Sequence, residues 1–297
     1  MKWDLLLQLL VNGVIVGMLY GVVAMCFVLV YKSSSVVNFA QGEFLIIGAF
    51  VCLWFVQKFD LPFAAAFAFT LVFMFVFGVA LQYAALRPLV GEPLISVLMV
   101  TVGLALFFQA LLKWLFGVDT YALPPVFEQN SVEFLGLQFE TAYLLILAVS
   151  AATMTAFYWF FTKSRTGLAM RATASDQQVA QSMGISVEKV FALAWGISAA
   201  VSALAGVTLG IVNGISTALA FTGIKVFPAV ILGGLESIAG GVVGGVVIGV
   251  LENLAEFVDG QYLHWGNMLA IAPFYVLIVI LMIKPYGFFG AENIERV

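Results

Sequence analysis

Charge is scarce in this sequence. Asp, Glu, Lys and Arg make up 9% of its 297 residues, against about 25% in an ordinary soluble domain. Histidine is nearly absent: His264 is the only one. Metal or triad chemistry built on imidazole therefore has almost nothing to work with, which leaves His264 a capped or interfacial role. The two cysteines, Cys26 and Cys52, both sit inside apolar runs, so neither a disulfide nor a metal site is expected. No GxxxxGK[ST] is present, and the chain does not bind and hydrolyse ATP in the P-loop manner. HExxH and GxSxG are missing too, so an intramembrane enzyme lacks a convergent nucleophile and base. The net charge of −4 argues against nucleic acid as a partner.

What the chain has instead is apolar bulk. Hydrophobic residues reach 63%, with 28 Phe and 28 Gly, and the mean hydropathy is +1.12. A soluble core cannot hide this much apolar surface, so the expected solvent is lipid. The N-terminal run 5–31 is longer than the apolar core of a signal peptide and no A-x-A site follows it; it is expected to be the first span.

Apolar runs long enough to cross a bilayer, ~20 residues each, fall at 5–30, 36–56, 62–86, 94–116, 142–162, 190–212 and 268–283. The stretch 218–257 reads as a shorter segment up to Leu232 and a full span after it. The expectation is an all-α, polytopic transmembrane helical bundle of about eight or nine spans with broken or re-entrant helices. No soluble domain interrupts it, so residues 1–297 read as a single membrane domain. The connections holding Lys32, Arg87 and Lys163–Lys189 alternate with those at 57–61 and 117–140. The latter carries Asp119, Glu128, Glu133 and Glu140 with no Lys or Arg. The basic set is therefore expected on the cytoplasmic side, together with the C-terminus (Lys284, Arg296) if 218–257 crosses an even number of times. The acidic loop, with Pro124 and Pro125, lies outside as a solvated connector or a contact for a soluble partner.

Two stretches put polar groups where lipid forbids them: Asn38-Phe-Ala-Gln-Gly-Glu43, and Gly233-Gly-Leu-Glu-Ser237 followed by Gly240, Gly241, Gly244, Gly245 and Gly249. Such breaks survive only when buried in protein or lining a wet cavity, and broken helices aim their ends at solutes in many transporters. Glu43 and Glu236 are expected to face the bundle interior or an interface, either on a pathway or as hydrogen-bonded helix ends. The pairs Gly240/Gly244 and Gly241/Gly245, and Gly13, Gly17 and Gly21, have the spacing of close-packing helix faces. Glu252 and Glu256, one turn apart near an outer surface, are expected to be solvated.

The segment Lys163–Lys189 holds four of the twelve Lys and Arg residues. Ser175 and Gln178 have capping-box spacing, and Gly184 suits the left-handed position that ends a helix at Met183. Ala172, Val179, Ala180 and Met183 are expected near one face. Such an element either docks on a soluble partner or is an ordinary positive-inside loop.

Three stretches, NFAQGEFLIIGAF (38–50), RATASDQQVAQSMGISVEKVFALAWGISAAVSALAGV (171–207) and FPAVILGGLESIAGGVVGGVVIGVLENL (227–254), together resemble the LivH-type permeases of branched-chain amino acid ABC transporters. The resemblance runs in order through nearly the whole chain. It implies a bacterial inner-membrane subunit that forms a pore with a LivM-type second permease. It also implies two cytoplasmic LivG/LivF-type ATPase subunits that hold ATP and Mg, and a periplasmic solute-binding protein. Loop 171–189 is then similar to the family's cytoplasmic coupling helix, a role carried onto Arg171, Ser175, Asp176 and Gly184. Here Asp176-Gln177-Gln178 replaces a more acidic run, and Gln41 stands where the family often has His. Asn38, Gln41, Gly42 and Glu43, with Gly233, Gly234, Glu236 and Ser237, become translocation-pathway expectations. Family members also serve urea, short amides and aromatic acids. The rival reading is a secondary transporter or channel that uses Glu43 and Glu236 as ion sites and has no need of the 163–189 loop.

Overall fold

The computed structural model describes residues 2–34, 36–89, 92–124, 131–134, 137–284 and 287–290. Pro125, Glu128 and Arg296 lie outside them. Eleven helices are labelled in chain order: α1 (Lys2–Ser34), α2 (Gln41–Phe59), α3 (Phe63–Leu81), α4 (Leu94–Phe116), α5 (Thr141–Lys163), α6 (Arg165–Ser175), α7 (Gln177–Ser182), α8 (Val187–Asn213), α9 (Ala220–Gly233), α10 (Ile238–Val258) and α11 (Met268–Ile283). Helix α3 runs on through a π turn at Gln82–Leu86 and a 3-10 turn at Arg87–Leu89, and α10 through a π turn at Asp259–Leu263. Among the described residues, seven helices are long and apolar enough to cross a membrane, and two shorter apolar helices, Thr217–Gly233 and Met268–Ile283, accompany them. That is the helical membrane bundle the hydropathy pattern predicts. The acidic loop adds one feature that pattern did not predict: an antiparallel pair, β1 (Ser131–Phe134) and β2 (Leu137–Glu140), with Ser131 opposite Glu140.

The chain divides into two compact units. One comprises Met1–Val28, Phe127–Ser150 and Ile224–Val297; the other comprises Leu29–Val126 and Ala151–Gly223. In the first, glycines replace side chains at the helix contacts. A Cβ built on Gly13 would lie 2.9 Å from the Gly249 carbonyl oxygen, and one on Gly17 would lie 2.7 Å from Val246 Cα. Gly245 and Gly249 face Gly21 and Gly17 in return, so the expected glycine faces of α1 and α10 pack on each other. The neighbouring face of α10 serves α9: Gly240 and Gly244 abut Gly233 and Ala229. One helix thus carries two small-residue seams, which lets three backbones approach closely without an apolar driving force from water.

In the second unit α8 is the central element. Its Gly206 lies against the backbone of Leu45, and its Ala203 and Trp195 fill the space beside Gly48 and Gly78 of α2 and α3. Trp195 is fully buried and meets Phe44 edge-on at 6.1 Å. The outer faces of α3 and α4 carry exposed Phe69, Val72, Val76, Met99, Leu106 and Phe107, an apolar surface suited to lipid.

Gly17→Leu is expected to overpack the α1–α10 seam and destabilise the protein by about 1–3 kcal/mol, read as a lowered melting temperature in detergent. Gly103→Ala, where nothing lies within 4 Å of an added Cβ, serves as the control and is expected to hold or raise stability, since Ala is the better helix former. Equal melting of the two variants would show that the seam contributes nothing to stability.

Candidate functional site

The first break is a knot of buried side chains. As α1 ends, Ser33 and Ser34 return their hydroxyls to the carbonyls of Leu29 and Val30 at 2.7 and 2.8 Å. The Asn38 carboxamide oxygen accepts from the Ala40 N–H at 3.0 Å, forming an Asx turn into α2. The Gln41 side-chain oxygen accepts from Asn38 Nδ2 and from Ser198 Oγ, both at 3.0 Å, while its Nε2 donates to Ser202 Oγ. Asn38, Gln41, Ser198 and Ser202 are all fully buried. The polar groups of the break are thereby used in fixing the start of α2 to α8. Gly42 is a close approach: a Cβ there would lie 2.6 Å from the Ala220 carbonyl oxygen. Glu43 is buried, as expected, and among the described residues its Oε2 has no hydrogen-bond partner. Of these four pathway expectations, Glu43 is the one that keeps an open acceptor.

The second break is built differently. Gly234 adopts φ +95°, a conformation that favours glycine. Ser237 caps α10, its Oγ accepting from the Gly240 N–H at 3.0 Å. The last carbonyls of α9 are taken by the C-terminal segment: Phe288 N–H donates to Leu232 at 2.8 Å and Phe289 N–H to Gly233 at 3.2 Å. Gly233 serves the seam with Gly240. Glu236 does not face the interior of the described chain; it is exposed on the turn.

Solvation does not account for Glu252. It is 2% exposed, accepts a hydrogen bond from the Tyr20 hydroxyl at 2.9 Å and faces the Lys225 ammonium at 3.4 Å. Its neighbour Glu256 is exposed, as the pattern predicts. The signal for Glu252 was present in the sequence: the intramembrane Lys225 needs a counter-charge.

The 163–189 loop holds two helices, not one. Ser164 caps α6, its Oγ accepting from the Gly167 N–H at 2.8 Å. The expected Ser175–Gln178 capping box is absent. Asp176 caps α7 instead, its Oδ1 accepting from the Gln178 and Val179 N–H groups at 2.8 and 2.9 Å, while Ser175 is the last residue of α6. A carboxylate one residue on captures two N–H groups that the hydroxyl would have shared. Gly184, at φ +83°, ends α7 as expected; Gly184 N–H bonds Gln181 and Ile185 N–H bonds Ala180, the two bonds of a Schellman motif. The proposed common face does not form. Ala172 lies on α6 and Ala180 points inward, but Val179 and Met183 are 58% and 78% exposed. Arg171 donates to the Phe161 carbonyl and lies over its ring, anchoring α6 to the end of α5.

The chain matches a family model described as "Branched-chain amino acid transport system / permease component" over residues 9–283. It is 32% identical to the high-affinity branched-chain amino acid transport system permease protein BraD of Pseudomonas aeruginosa, over 98% of both chains. It is 31% identical to the corresponding LivH protein of Escherichia coli, over 98% of this chain and 97% of that one. A probable LivH permease of Methanocaldococcus jannaschii is 28% identical, over 96% and 93%. Among solved structures, a chain of PsaBC from Streptococcus pneumoniae in complex with Fab aligns with TM-score 0.51 at 16% identity, over 94% of this chain and 91% of that one. That likeness is one of fold alone.

Gln41→Leu strips partners from Asn38, Ser198 and Ser202 and is expected to destabilise by about 1–3 kcal/mol, measured by thermal unfolding. Asp176→Ala is expected to remove ~1 kcal/mol of capping. Its measurement is hydrogen exchange: amides of α7 exchange faster while those of α8 do not. Unchanged protection in α7 would mean the cap contributes nothing.

Proposed function

The chain belongs to the branched-chain amino acid transport permease family, and we propose that it forms half of the translocation pore of an ABC importer. It is a multi-pass protein of the inner (plasma) membrane and a transport subunit, not an enzyme. In the proposal a LivM-type permease supplies the other half of the pore. Two cytoplasmic ATPases of LivG/LivF type bind ATP and Mg. A periplasmic binding protein delivers the solute, with branched-chain amino acids as the substrates by analogy with the relatives' names. Both compact units act together as one permease domain.

The α6–α7 pair carries this proposal. A capped, two-helix element sits in a basic loop between membrane spans and exposes Val179 and Met183 among polar residues. An isolated channel has no use for exposed apolar side chains on a polar loop, whereas a groove on an ATPase subunit does. Arg171, Asp176 and Gly184 hold this element's shape rather than its contact surface. ATP binding closes the two ATPases, the α6–α7 element passes the displacement to the spans, and the pore exchanges inward- for outward-facing access. Nucleotide must favour the closed state for this to work. The rival, an ion-coupled transporter or channel using Glu43 and Glu236, is disfavoured because it has no need of the capped α6–α7 element.

The test is a pull-down from mild detergent comparing the unaltered chain with Val179→Asp/Met183→Asp. Both positions are exposed, so folding should be unaffected. ATPase subunits are expected to accompany the unaltered chain and to be lost from the double variant. Asp176→Asn, which keeps the cap, should retain them, and Asp176→Arg should not. An unaltered chain that never brings down an ATPase would overturn the importer assignment.

A further inference from the structure

The Tyr20–Lys225–Glu252 cluster is left unused by the mechanism above. Its three residues come from α1, α9 and α10, all in one compact unit. Glu252 lies within the 26-residue span Ile238–Leu263. At ~1.5 Å per residue it is about 20 Å from one end and about 16 Å from the other. That places it near the middle of a hydrocarbon layer about 30 Å thick. Ionisable groups at that depth are expensive and mark solute or ion pathways by default.

The cluster is also undersaturated. An ammonium carries three donors, and in a charge-assisted hydrogen bond it closes to about 2.7–2.9 Å. Here Lys225 stands 3.4 Å from Glu252 Oε1, and that oxygen has no hydrogen bond of its own among the described residues. Tyr20 satisfies only the other oxygen, Oε2. Lys225 keeps 19% of its side chain accessible, whereas Glu252 is 2% accessible. Tyr20 therefore engages one carboxylate oxygen, and beside the other the Lys225 side chain stays partly accessible. Lys225 also stands on α9, a 14-residue helix ending at a backbone break, the kind of discontinuous element that borders midplane solute sites in transporters.

We propose that Lys225 and Glu252 form a pathway site for a zwitterionic solute, the class of α-amino acids. This deepens the importer reading and rests on it. The solute carboxylate takes the open donors of Lys225, and its ammonium takes Glu252 Oε1, opening the pair as it passes. Because the pair is neutral as a whole, it complements a zwitterion and offers a net anion or cation one partner and one repulsion. Tyr20 acts as a positioning residue that keeps the carboxylate turned toward Lys225.

The bland alternative is a packing pair between helices, and it has a distinct signature. A buried ion pair replaced in full by uncharged residues of similar size is often neutral or stabilising. The experiment uses proteoliposomes holding the whole transporter with its ATPases and binding protein. ATP-driven uptake of radiolabelled leucine is compared for the unaltered complex, Lys225→Met, Glu252→Gln and the double variant. Uptake per assembled complex is expected to fall about tenfold or more in all three, with the double no better than the singles. Rescue of uptake in the double variant would assign the pair to packing and overturn the inference. If the unaltered complex takes up no leucine, the importer reading fails instead, and this site with it.

Discussion

Hydrocarbon offers no water to a polar group, so a partner inside the protein is what stabilises one there. Serines and threonines within the spans return their hydroxyls to the carbonyl one turn back, as Thr70 does to Ala66 and Thr208 to Leu204. Where a helix stops inside the bundle, the solution is longer in range. The last carbonyls of α9 are met by N–H groups of Phe288 and Phe289, and the start of α2 is met by side chains of α8. The glycine seams answer to the same constraint. With lipid as apolar as leucine, helices associate through close packing, and α10 places one row of glycines against α1 and another against α9.

This explains what could be read from the chain in advance. Spans follow from hydropathy, and α4 and α11 begin and end where their apolar runs do. The glycine faces are periodic and so are visible locally. Partners are not, because they come from far away: Gln41 is 157 residues from Ser198, and Tyr20 is 232 from Glu252. A break can be located from sequence, but whether its side chains face a pathway or each other depends on what folds against it. Gln41 is legible as a polar intruder and becomes a structural hub only when α8 arrives.

Two local expectations failed for more specific reasons. Ser175 and Asp176 are both good caps one residue apart, and propensity cannot choose between them; the carboxylate, able to accept two N–H bonds, takes the position. Glu252 was expected near a membrane surface because the span was taken to end close to it. The π turn at Asp259–Leu263 extends α10, and the extra helical length moves Glu252 inward by more than a turn. Once submerged, it needs the partners that Tyr20 and Lys225 supply.

In the proposed importer, close contacts also govern how a push on α7 would reach the rest of its compact unit. Only residues 183–186 separate α7 from α8, and the Schellman bonds at Gly184 and Ile185 fix their path. Helix α7 therefore cannot shift far without carrying α8 along. Helix α8 in turn meets α2 and α3 through glycine contacts that leave no slack, backbone against backbone at Gly206 and Gly78. Through Ser198 and Ser202 it also grips Gln41, the first residue of α2. Close-packed elements of this kind move as a body rather than deform. In the proposed importer, a displacement that enters at Val179 and Met183 would thus be delivered to the turn that holds Glu43, the buried carboxylate with an oxygen still unpartnered. The stiffness arises from the same close contacts and hydrogen bonds that lipid imposes on the fold.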